Sequence, residues 1–62
     1  MNVAIEVPED IGHQLLTRRG DISQWALEAL TLEAYRSEVI TEVQVQRMLN
    51  LPSRWEVDTF LK

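Results

Sequence analysis

No cysteine occurs among the 62 residues of this chain, so neither a disulfide nor a thiolate metal site is open to it. Histidine is single, at His13, and glycine and proline number two each. Without a thiol, with one imidazole and without a glycine-rich phosphate loop, there is no assembled nucleophile and base. No catalytic residue, metal or cofactor is therefore expected. Glu9, one helical turn before His13, is placed to pair with it or to share a metal, but a solvated histidine on a helix face is the more economical reading. Long apolar runs are missing too: none approaches 18 residues, and the N-terminus has no basic segment followed by an apolar one. A cytoplasmic protein with neither a membrane span nor a signal peptide is the expectation. Basic residues are also scarce, six against ten acids, for a net charge of −4. That balance weakens nonspecific attraction to nucleic acid without excluding local basic contacts.

Small size limits what the chain can do alone. For 7.2 kDa, size scaling takes an unfolded surface of roughly 10,000 Å² to roughly 4,000 Å². Burial then contributes about 90 kcal/mol, against a conformational cost of about 90 kcal/mol. A monomer is marginal, and association is the available remedy.

What is present begins with Asp21–Tyr35, DISQWALEALTLEAY. Asp21 follows Gly20 and is a good N-cap, Leu, Ala and Glu dominate the body, and nothing interrupts it. Ile22, Trp25, Ala26, Ala29 and Leu30 share one face at helical spacing, widened by Leu27, Leu32 and Ala34. Gln24, Glu28 and Thr31 make the wet stripe. So broad an apolar arc calls for neighbours on two sides, and this helix is expected at the core of a small domain and of a dimer.

Taken in order, residues 2–7 (NVAIEV) alternate strictly, with Val3, Ile5 and Val7 on one face and Asn2, Ala4 and Glu6 on the other, which predicts a half-buried strand. Nothing else in the chain reads as β, so this strand must pair with another copy or fail to form. Pro8, Glu9 and Asp10 open a helix over 9–19 whose apolar face is Ile11, Leu15 and Leu16, and Gly20 caps it. The central helix follows over 21–36. Thr41 is placed to cap a helix over 42–49 with Val45, Met48 and Leu49 as its apolar face. Asn50-Leu51-Pro52 breaks that helix. Ser53, with Glu56 three residues on, predicts a capping box for a last helix in which Val57, Phe60 and Leu61 face inward. Trp25 and Trp55 are expected in the core rather than on a ligand platform.

Two constellations result. Strand, helix, helix is the order of a ribbon-helix-helix unit, whose two chains pair single strands antiparallel; the dimer interface would comprise Val3, Ile5, Val7, Ile22, Trp25, Ala26, Ala29 and Leu30. The outward strand residues suit DNA poorly: Asn2 can pair with adenine, but Glu6 is repelled by phosphate. The second constellation, Thr41–Leu61, has the order of a helix-turn-helix, which is also that of an ordinary helical hairpin. In a DNA-reading version Ser53 and Arg54 open the recognition helix, with Arg54 on a base or phosphate and Arg47, Arg36 and Lys62 on the backbone. Glu42, Glu56 and Asp58 stand against it.

At Ala26-Leu27-Glu28-Ala29-Leu30 through Glu33-Ala34-Tyr35-Arg36, at Val45–Leu49, and at Ser53-Arg54-Trp55-Glu56-Val57-Asp58 with Phe60-Leu61-Lys62, the chain resembles an uncharacterised family of small bacterial proteins, number 0175. Its members carry a similar ALEALALEAYR helix and a similar SR-aromatic-E-aliphatic-D-x-FLK ending, and the resemblance spans residues 1–62. Where they have Gly in the last break, this chain has Asn50, which tolerates the same conformation. The family's chains tend to continue past the position of Lys62. The resemblance implies an antitoxin-like regulator of its own operon that neutralises a small toxin encoded beside it.

The expectation is a mainly α single domain over 1–62: a short N-terminal strand and four helices, a ribbon-helix-helix-like dimerisation part over 1–37 and a helix-turn-helix-like part over 38–62. Its expected partners are a second copy, operator DNA and a cognate toxin, with no membrane or small-molecule substrate. The rival expectation is an acidic dimeric adaptor that holds a protein and binds no DNA.

Overall fold

Four helices follow one another in the computed structural model, which describes residues 1–62: α1 (Glu9–Arg19), α2 (Ile22–Arg36), α3 (Glu42–Leu49) and α4 (Arg54–Leu61). Their ends obey local chemistry. Pro8 starts α1 without a side-chain cap, Glu9 and Asp10 sit at its positive end, and Gly20 closes it at φ 81° with its amide donating to the Leu16 carbonyl at 2.9 Å. The Asp21 carboxylate accepts from the Gln24 amide at 3.0 Å and opens α2. Thr41 and Gln44 form a reciprocal capping box at the start of α3.

The C-terminal ends of α2 and α3 share one device. Val39 donates to the Ala34 carbonyl at 2.9 Å and Glu38 to that of Tyr35 at 3.0 Å, while Leu51 donates to Gln46 at 3.0 Å and Asn50 to Arg47 at 3.3 Å. Both are Schellman closures, and each needs a left-handed residue, here Glu38 (φ 62°) and Asn50 (φ 52°). The capping box expected at Ser53 is not formed: Ser53 is extended and its hydroxyl makes no bond to the first turn of α4.

The core lies where α2 crosses α3 and α3 turns into α4. Val45 and Val57 are 0% and 1% exposed. Beside them lies Thr31, also 0% exposed, its hydroxyl donating to the Leu27 carbonyl at 2.6 Å and lying 3.8 Å from the Met48 sulfur. The expectation that Thr31 belongs to a wet stripe is therefore overturned. Its hydroxyl is satisfied within its own helix, so the residue is buried without an orphaned polar atom.

The expected N-terminal strand is absent. Residues 1–8 carry no regular structure, and Val3, Ile5 and Val7 are 68%, 68% and 39% exposed. The physical reason is that a single chain offers these residues no second backbone with which to build a ladder. Surface is large throughout: 5448 Å², against about 4,100 Å² for a compact monomer of this mass. The radius of gyration is 13.1 Å, against about 10.6 Å for a compact domain of this length. No helix is long and apolar enough to cross a membrane.

Candidate nucleic-acid interface

Ser53 and Arg54 stand exposed at the start of α4, directly after the closure at Asn50 and the Pro52 break. That is where a helix-turn-helix presents side chains to a groove. Asn50 in the left-handed conformation reverses the chain, Gln46 donates its side-chain amide to the Leu51 carbonyl at 3.2 Å, and α3 and α4, which are in contact, bury Val45 and Val57. Local sequence thus accounts for the turn: a residue that accepts positive φ, then Pro to forbid continuation.

Charge at this surface is mixed. The Arg54 guanidinium donates to Glu42 Oε2 at 3.2 Å; the Arg54 side chain is largely open to solvent, whereas that of Glu42 is 39% exposed. Glu42 Oε1 accepts from the Tyr35 hydroxyl at 3.2 Å. That hydrogen bond first, then the negative charge of Glu42, then desolvation and the charge of Asp58, raise the Tyr35 pKa above the ordinary phenol value. Tyr35, Glu42, Trp55, Asp58, Leu61 and Lys62 line a shallow open groove of about 300 Å³. Trp55, expected in the core, is 78% exposed beside it. Its place in the first turn of α4 turns the ring outward, while Val57 takes the inward position.

The remaining candidates, three basic residues and Asn2, come from other segments of the chain. Arg47 borders a different hollow with Ile40, Gln44 and Met48. Arg36 is exposed at the end of α2, Asn2 is exposed in the N-terminal segment, and Lys62 ends the chain beside the Trp55 groove. At the other end of α2, Arg19 donates to Glu28 at 3.2 Å and lies 5.0 Å from the Trp25 ring centre. His13 is exposed on α1. No three His, Cys, Asp or Glu side chains come together in a geometry that would hold a metal ion.

The expected dimer residues divide in two. Ile22, Trp25 and Ala26 are half-buried; Ala29, Leu30, Val3, Ile5 and Val7 are exposed. Sequence reasoning missed the Tyr35–Glu42–Arg54 chain, which joins three elements across 7 and 12 positions and leaves no short motif. It also missed the Thr41–Gln44 box, whose Thr-x-x-Gln spacing was legible.

No curated protein and no solved structure matches the chain. A family model does, over residues 1–62, and on that match the protein belongs to the uncharacterised protein family UPF0175.

Proposed function

We propose that this protein is a DNA-binding regulator of its own operon, of the antitoxin-like type, acting in the cytoplasm as a homodimer whose residues 2–7 pair antiparallel with those of a second copy. The observation that carries the reading is the α3–α4 unit, in which the closure at Asn50 leaves Ser53 and Arg54 exposed at the N-terminus of α4. The pair with Glu42 is no obstacle. An exposed ion pair is worth at most about 1 kcal/mol, so a phosphate or a guanine edge competes with it. Arg47, Arg36 and Asn2 are the backbone and outlying contacts of the same reading.

A second reading is favoured by Trp55, exposed beside the carboxylates of Glu42 and Asp58. An exposed aromatic with acidic neighbours suits a protein partner, a toxin included, better than a polyanion. One titration separates the two. Purified protein is added to labelled DNA from upstream of its own gene at two salt concentrations, with unrelated DNA beside it. The regulator binds selectively and more weakly as salt rises, and Arg54→Ala loses about 1–3 kcal/mol if Arg54 reads a base. Equal binding by both chains removes Arg54 from the site, and no selectivity at all moves the assignment to the protein-binding adaptor.

A further inference from the structure

Thr31 marks the side of α2 that meets α3, since its hydroxyl lies against Met48. At 100° per residue, Leu30 lies about 100° round the helix from Thr31, Trp25 about 120°, Ala26 about 140°, Ala29 about 160° and Ile22 about 180°. The most apolar arc of the longest helix therefore points away from the core. α1 meets α2 near its start, where Ile22, Trp25 and Ala26 are half-buried. Farther along, Ala29 is open and Leu30 is 56% exposed.

We propose that a second copy of this chain covers this outer face of α2, with residues 3–7 of both copies lying along its border. This rests on the homodimeric part of the reading above and not on DNA binding. Three observations select a second copy as the occupant. The surface exceeds that of a compact monomer by about 1,300 Å², enough to supply the roughly 800 Å² that each partner of a standard interface buries. The face has no charge at its centre, around Ala29 and Leu30, so two copies can oppose it to itself without burying an unpaired charge. Val3, Ile5 and Val7 are exposed on a segment whose backbone has no ladder partner, and an identical segment supplies the matching edge.

The absence of cysteine gives a clean test. Leu30 and Val43 are equally exposed in the single chain, at 56% each, but only Leu30 lies on the proposed face. The thiol of a Leu30→Cys variant should be alkylated roughly tenfold more slowly than that of Val43→Cys, the difference shrinking on dilution. Ala29→Cys repeats the measurement with a smaller change of volume, so a poorly folded Leu30 variant does not leave the question open. Sedimentation of the unaltered chain should give twice 7.2 kDa. Equal alkylation rates in folded variants, or a helical monomer at every concentration, would overturn the proposal. A dimer that binds no DNA would overturn only the regulator.

Discussion

Tyr35 is the only tyrosine of the chain, so its ionisation can be followed by ultraviolet absorbance without interference from another phenol. Its hydroxyl donates to Glu42, and loss of the proton would place a second negative charge beside that carboxylate. The folded value is raised, so whatever stability the contact contributes is complete below the unfolded phenol pKa of about 10 and is lost as pH rises through the folded value. Glu42→Ala removes both the acceptor and the charge, the two largest causes, and should bring the titration midpoint down toward the ordinary phenol value. The same midpoint in both chains would deny that Glu42 governs Tyr35. Thr31 gives the lesson for reading sequence at this scale. A threonine between Leu30 and Leu32 looks like a wet position, because hydropathy ranks its hydroxyl as polar. In a helix that hydroxyl can bond the carbonyl four residues back, as Thr31 does with Leu27, and then the side chain is as buriable as a small aliphatic one. Trp55 errs in the opposite direction: its size argued for the core, but position in the first turn of α4 decided its exposure.

Helix boundaries were the most legible elements. Gly20, Asp21, Thr41, Asn50 and Pro52 each act within three or four residues, and α1 to α4 begin and end where these residues require. Glu38 was not legible, since Schellman closures are usually signalled by Gly and this one carries a glutamate at φ 62°. The same geometry yields a prediction. Glu38→Gly relieves a left-handed strain of about 1–2 kcal/mol and concedes part of it to the freedom glycine gains when unfolded, so a net stabilisation of about 0.5–1 kcal/mol is expected. Chemical denaturation measures it; a lower midpoint for the glycine variant would contradict the account. The strand over 2–7 failed for a different reason. Alternation records which residues share a face, whereas a ladder needs a second backbone that a single chain does not contain. The face of α2 is a related case: periodicity grouped Ile22, Trp25, Ala26, Ala29 and Leu30 on one side but put Thr31 on the wet stripe, whereas α3 packs against the side that Thr31 marks.

At the scale of the molecule, Arg47 borders a hollow with Ile40, Gln44 and Met48, while Lys62 lines the groove beside Trp55 and Glu42, a division between two hollows that no linear reading could have anticipated. Composition did foreshadow the more general property, that 62 residues bury too little by themselves. If a second copy completes the burial, stability is a function of protein concentration, and each tenfold rise should add about 1.4 kcal/mol to the free energy of unfolding per dimer. Melting followed by circular dichroism over a hundredfold range should move upward by several degrees. A melting temperature independent of concentration would show that the chain stands alone. Only two side chains, Val45 and Val57, form the fully buried apolar core, and this bears on the protein's persistence in a cell. Molecules too dilute to meet their like spend more time open and are removed by proteases, while those made in a burst protect one another. The lifetime of the protein then follows its own abundance, and a pause in synthesis clears it without any dedicated signal.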